Sequence, residues 1–150
     1  SLLDRPSFKE AFLKRRCLVI ADGFYEWKTE YTTKQPYRIH LKNNMPLAFA
    51  GIWQKSQADN SEAPQPNKFA IITTAAVYSI RHIHNRMPFI LNPGDYENWL
   101  NGDGLEVIKK SSRYSDMDLS FYKVPPEVGN INNDSRELIK EYDPPQLALF

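Results

Sequence analysis

Apolar and polar positions change rhythm repeatedly along this chain, and the changes predict its elements. Cys17-Leu18-Val19-Ile20-Ala21 is an unbroken apolar run, and Phe24-Tyr25-Glu26-Trp27 is an aromatic stretch interrupted by one carboxylate. Asp22-Gly23 lies between them, the dipeptide best suited to a two-residue turn, so the pattern predicts a β-hairpin with arms near 17–21 and 24–29. Strand side chains alternate sides, which puts Phe24, Glu26 and Lys28 on one face and Tyr25 and Trp27 on the other. Gln35 to Leu41 alternates with period two and predicts a half-buried strand, Asn43-Asn44 a turn, and Leu47 to Trp53 a more deeply buried strand. Phe69 to Thr74 reads as a near-continuous apolar strand, Met87 to Leu91 as a strand that Pro88 confines to an edge or bulge, and Leu119 to Val124 as another. Ala75 to Arg81 is expected to form a turn or short helix, and Gln54 to Asn67 a mobile polar surface loop.

Helical spacing is confined to short segments. Ser7-Phe8-Lys9-Glu10 has the form of a capping box and predicts a helix to about Arg15, with Phe8, Ala11 and Phe12 inward. Asn92-Pro93 is a good helix opening, and the helix would bury Tyr96, Trp99 and Leu100 before stopping near Gly102. Further helices fit Leu105 to Lys110 and Ser135 to Tyr142, the last ended by Pro144-Pro145. The expected class is α+β, with a mostly antiparallel, barrel-like sheet core flanked by short helices. One domain over residues 1–142 and a tail over 143–150 are expected.

Composition narrows the function classes. A chain of 150 residues with 41% apolar and 25% charged residues can bury a sizeable core. No apolar run is long enough to span a membrane, and the first residues lack the form of a signal peptide. The single cysteine, Cys17, excludes an internal disulfide framework and suits a reducing, cytoplasmic setting; in its apolar run it reads as an inert thiol. A net charge of +1 argues against a uniformly basic nucleic-acid coat, which leaves Lys14-Arg15-Arg16 and the stretch from Arg81 to Arg86 as local phosphate-binding candidates beside the reading as solvated surface.

Gly-rich phosphate loops, CxxC pairs and the GxSxG elbow are all missing from the sequence. His82 and His84 could share a strand face, but no carboxylate pair or thiolate stands near them in sequence, so no metal or other cofactor is expected. The candidate chemistry falls on Glu26 and His84, each in an apolar or aromatic context able to shift a pKa. Solvated surface or a loop-capping role is the alternative for each.

Three blocks taken together are more specific. Arg16-Cys17-Leu18-Val19-x-Ala21-Asp22-Gly23-Phe24-Tyr25-Glu26-Trp27, Ile71-x-Thr73-x-Ala75-Ala76 and Ile83-His84-x-Arg86-Met87-Pro88-x-Ile90-Leu91, with a weaker Val128-Gly129-Asn130, resemble the SRAP family of SOS response-associated peptidases, the abasic-site processing proteins. The resemblance implies a protein that covers an abasic site in single-stranded DNA. It attaches there through an N-terminal cysteine, freed by autoproteolytic loss of methionine, whose amine and thiol close a thiazolidine on the sugar aldehyde. It further implies Glu26 and His84 as the catalytic pair, and Arg86, Thr73 and Trp27 as DNA contacts. A bacterial cytoplasmic, nucleoid-associated location and no membrane partner follow from the same likeness. The family's opening Met-Cys-Gly-Arg and its Asn-Ala-Arg-x-Glu segment do not occur in this sequence. The chain is therefore expected to be the later two-thirds of the family domain and, alone, inactive. Cys17 occupies a separate, structural position. A noncatalytic single-strand-binding module and a general peptidase are the alternatives.

The chain closes on Gln146-Leu147-Ala148-Leu149-Phe150, which resembles the Gln-Leu-x-Leu-Phe peptide that docks bacterial proteins on the replication sliding clamp. Two leucines and a phenylalanine can enter an apolar pocket while Gln146 makes polar contacts; packing on its own domain is the other use for such a tail. Deleting residues 146–150 should abolish co-elution with the clamp, and unchanged co-elution would exclude Gln146, Leu147, Leu149 and Phe150 as clamp contacts.

Overall fold

The computed structural model describes residues 6–56, 66–110 and 118–143, with the side chains of residues 6 and 7 left aside. The C-terminal peptide and most of the 54–67 loop lie outside the described residues. The chain is α+β and antiparallel, in order α1 (Pro6–Lys14), β1 (Arg16–Ala21), β2 (Phe24–Glu30), β3 (Thr33–Leu41), β4 (Leu47–Gln54), β5 (Lys68–Ile71), β6 (Thr73–Ala75), β7 (Arg86–Pro88), α2 (Tyr96–Asn101), α3 (Gly104–Lys109) and β8 (Leu119–Lys123). The described strands form open sheets, β1-β4-β5, β2-β3-β8 and β6-β7, rather than a closed barrel. They divide between two compact units, one drawn from residues 1–21, 47–74 and 87–114 and the other from 22–46, 75–86 and 115–150.

In the first unit β4 is central, paired with β1 on one side and with β5 on the other. Its other edge positions are completed by Phe89 to Leu91, which exchange backbone hydrogen bonds with Ala48 and Ala50. Residues 47–52 are consequently all buried, as their unbroken apolar run requires. Ala50 and Ile52 pack with Ala11 and Phe12 of α1, Trp99 of α2 and Val107 of α3. The predicted strand from Phe69 to Thr74 breaks at Ile72, whose N–H bonds Ala50 while its carbonyl accepts from Phe89. Helix α1 begins at Pro6, one residue ahead of Ser7, and Glu10 pairs forward with Arg15 at 3.2 Å. Leu100, expected inside, is exposed because α2 is less than two turns long and turns only Trp99 fully inward.

Arg16 ties this unit together. Its guanidinium donates to the carbonyls of Phe12 (2.8 Å), Gly102 (2.8 Å) and Trp99, and lies over the rings of Phe12 and Trp99. Those carbonyls are the ones left over at the ends of α1 and α2, so one cation satisfies two helix C-termini. Arg15 similarly donates to the Trp53 carbonyl at 3.2 Å. Two members of the basic cluster proposed for phosphate are thus structural.

The second unit is the sheet β2-β3-β8 with the 75–86 segment and the C-terminal turns. Here the predicted hairpin is corrected. β1 pairs with β4 and β2 with β3, so Asp22-Gly23 is a passage between sheets. A hairpin of the Asp-Gly type needs positive φ, and no described glycine has it. Gly23 is required instead because a Cβ there would stand 2.7 Å from the Ile39 carbonyl oxygen. The actual tight turn is Tyr31-Thr32, with Tyr31 at φ 55° and Glu30 paired to Thr33. Arg38 secures the passage, donating to the Asp22 carbonyl (3.0 Å), pairing with its carboxylate (3.2 Å) and reaching the Tyr122 hydroxyl (3.2 Å), which donates onward to the Ile139 carbonyl (2.7 Å). The helix predicted over 135–142 shrinks to a 3₁₀ turn, Arg136–Ile139. That segment has no apolar stripe to bury, and Tyr142 N–H already bonds Lys123, which holds the chain extended.

Replacing Arg16 by Met should cost about 1–3 kcal/mol in urea unfolding, since helix-end carbonyls, partly buried at Phe12 and exposed at Gly102, lose their charged donor. Arg16→Lys should recover only part, because the donors of a compact ammonium cannot span the separate carbonyls that a planar guanidinium reaches.

Candidate active site

Directly paired strand residues share a sheet face. Glu26 pairs with Tyr37, Phe24 with Ile39, and Ile39 in turn with Phe121. Glu26 therefore projects on the face that carries Tyr37, Ile39, Leu41 and Leu119, the buried apolar face of this unit. Its strand is at the edge of the sheet, so the carboxylate sits at the rim of that face, its side chain 22% exposed.

The 75–86 segment lies over the same face. Ala76 N–H bonds the Asn85 carbonyl at 3.0 Å, closing the segment, and hydrogen bonds from Val77 to Ile80 and on to His84 wind it into helical turns. Ile80 and Ile83 anchor it inward. His82 packs edge-on against Phe121, ring centroids 5.3 Å apart, which gives this histidine a core-covering role. Two residues on, His84 Nδ1 stands 3.5 Å from Glu26 Oε2. The same nitrogen lies 3.0 Å from the Arg86 carbonyl oxygen and 3.2 Å from the Arg86 N–H. Nδ1 thus faces two acceptors, the Glu26 carboxylate and the Arg86 carbonyl, and one donor, the Arg86 N–H, so these contacts serve either tautomer; with the proton on Nδ1, Nε2 is the nitrogen left to meet a substrate.

Burial pushes the Glu26 carboxyl above its ordinary range; a charged His84 and the backbone N–H of Trp27 oppose this without cancelling it. Such a group can hold and release a proton nearer neutrality than a solvated glutamate. Cys17 lies in the first unit, where its carbonyl accepts from the Trp99 indole N–H at 2.9 Å. Its thiol is pushed up by burial, the opposite of nucleophile activation.

The remaining sequence candidates are distributed. Trp27 is half-buried on the other face of β2 from Glu26, with its backbone N–H directed to that carboxylate. Arg86 is exposed at the start of β7, beside His84 through its backbone. Thr73 is exposed at the start of β6, in the first unit. Sequence reading did not single out Tyr78, on which Arg81 is stacked with its guanidinium carbon 4.0 Å from the ring centroid. The i, i+3 spacing of the two in a turn was the available signal. Among the described residues no group of three histidine, cysteine or acidic side chains could hold a metal ion, and no helix is long and apolar enough to cross a membrane. A cleft of about 510 Å³ beside residues 125–142 includes neither Glu26 nor His84 in its lining.

The pairing of Glu26 with His84 coincides with a family match over residues 1–131, to SOS response associated peptidase (SRAP). The chain belongs to the SRAP family. It is 35% identical over 149 residues to the abasic site processing protein YoqW of Bacillus subtilis, covering 95% of this chain and 64% of that protein. Against the abasic site processing protein YedK of Escherichia coli the identity is 31%, covering 89% of this chain and 60% of YedK. A crystal structure of a Bacteroides thetaiotaomicron protein superposes with a TM-score of 0.81 at 27% identity, over 94% of this chain and 62% of that one. The chain thus spans less than two thirds of the length of the curated relatives it matches.

The folded chain binds the Glu26 proton more tightly than the unfolded chain, so ionising this group costs stability as pH rises past the ordinary carboxylate range. Glu26→Gln should therefore be the more stable protein at pH 7, by less than about 1 kcal/mol. The difference should close below about pH 4, where the unfolded carboxylate is protonated too. Paired urea titrations at the two pH values measure it, and a less stable variant at pH 7 would mean that attraction to His84 outweighs burial.

Proposed function

We propose that this protein acts on abasic sites in single-stranded DNA and becomes covalently attached to them. The observation that carries the reading is the contact of Glu26 with His84, 3.5 Å apart and drawn from distant parts of the chain, in a family whose curated relatives are abasic site processing proteins. An abasic sugar rests mostly as a closed ring. His84 Nε2 moves a proton at the ring oxygen while Nδ1–H is steadied by Glu26, which frees the aldehyde. An amine and a thiol then add to the aldehyde carbon and water leaves, closing a thiazolidine; Glu26 handles the protons of attack and dehydration. Both nucleophiles belong to an N-terminal cysteine that this chain does not contain, exposed by autoproteolytic loss of methionine. Arg86 and Thr73 hold backbone phosphates, a contact that positions without reading sequence, and Trp27 supplies an aromatic surface. The tail Gln146 to Phe150 recruits the protein to the sliding clamp.

The test uses the full-length protein and a single-stranded oligonucleotide with one abasic site, read on denaturing gels. A slower-migrating covalent band is expected, with Glu26→Gln and His84→Ala combined slowing its formation by at least about 100-fold. Formation at the wild-type rate overturns these roles. Binding without any covalent band supports a noncatalytic module, and cleavage of unrelated proteins a general peptidase.

A further inference from the structure

A lesion without a base must be held through its neighbours, and the segment that carries His84 also carries an unabsorbed aromatic feature. Tyr78 is 69% exposed although it belongs to a segment anchored by buried Ile80 and Ile83. Arg81, also exposed, lies over its ring with the guanidinium carbon 4.0 Å from the centroid. Among the described residues no carboxylate pairs with Arg81, so the ring is what orders this cation. The backbone beneath is hydrogen-bonded from Val77 through His84, with Arg81 N–H on the Val77 carbonyl at 3.1 Å and His84 N–H on the Ile80 carbonyl at 3.2 Å. Tyr78, Arg81 and His84 thus recur at every third residue along one helically wound segment, a spacing that brings successive side chains to neighbouring positions.

We propose that the Tyr78–Arg81 stack is a platform for the nucleobase next to the abasic site. An exposed ring joined to a planar guanidinium offers two kinds of stacking surface to any base, while the guanidinium edge can meet the adjoining phosphate. Stacking is indifferent to base identity, as a lesion sensor requires, because every base has a π-face. The platform sets the neighbouring nucleotide, and through it the abasic sugar is brought to His84. This inference rests on the single-stranded, abasic substrate proposed above.

The experiment is fluorescence anisotropy of the full-length protein with a short single strand carrying a central tetrahydrofuran, a stable abasic analogue. A second strand has tetrahydrofuran at the two flanking positions as well. Tyr78→Ala and Arg81→Ala should each weaken binding to the first strand roughly tenfold, and Tyr78→Phe less than about twofold. On the second strand, which has no flanking base to stack, the loss for Tyr78→Ala should vanish. Equal binding by wild type and Tyr78→Ala on the first strand overturns the platform alone, as does an equal loss on both strands, which would mark Tyr78 as merely structural. Failure of the wild-type protein to bind the first strand overturns the platform together with the substrate on which it depends.

Discussion

The geometry of the candidate site follows from one constraint, the two-residue period of β2 set against β3. Because Glu26 lies directly across from Tyr37, it must share the face that buries Ile39, Leu41 and Leu119. A one-residue slip would exchange it for Tyr25 or Trp27 and send the carboxylate to the face of Arg38 and Tyr122. Its raised proton affinity, its access to His84 and the placement of the covering segment are all consequences of that register. The register is secured at the start of the strand, where Gly23 lets the backbone pass close to Ile39 and Arg38 clasps Asp22.

Two arginines that a charge count would assign to solvent or phosphate are internal braces. Arg16 gathers the terminal carbonyls of two helices, and Arg38 links the Asp22 passage, β3 and β8 and, through Tyr122, the turn at Arg136–Ile139. Arginine suits both places because its donors diverge in a plane and its charge survives partial burial. The cations left outermost in this part of the second unit, Arg81 and Arg86, flank His84 in sequence.

The covering segment is firm for an irregular stretch. Its ends are joined at Ala76 and Asn85, two isoleucines enter the core and His82 leans on Phe121. Such anchoring presents His84 at low entropic cost, with its position beside Glu26 set in advance.

Much of this was legible in the sequence. Period-two alternation placed β3 and the two faces of β2, apolar runs placed β4 and β8, and the joint motif pattern singled out Glu26 and His84. Partner choice was not legible. Asp22-Gly23 has the local chemistry of a hairpin turn, yet pairing of β1 with β4 and β2 with β3 overrode it, while Tyr31-Thr32, with no turn residue, forms the real hairpin. Local propensity amounts to a fraction of a kcal/mol per residue, and whole strands paired over a core outweigh it. The same reason governs Arg16, the lost helix at 135–142 and the stack of Arg81 on Tyr78. By itself the sequence determined which residues could do chemistry and which face each strand residue would take. Which face became the core, and therefore which carboxylate is partly stripped of water beside a histidine 58 positions away, only the tertiary structure decided, because desolvation is a property of neighbours brought from elsewhere in the chain.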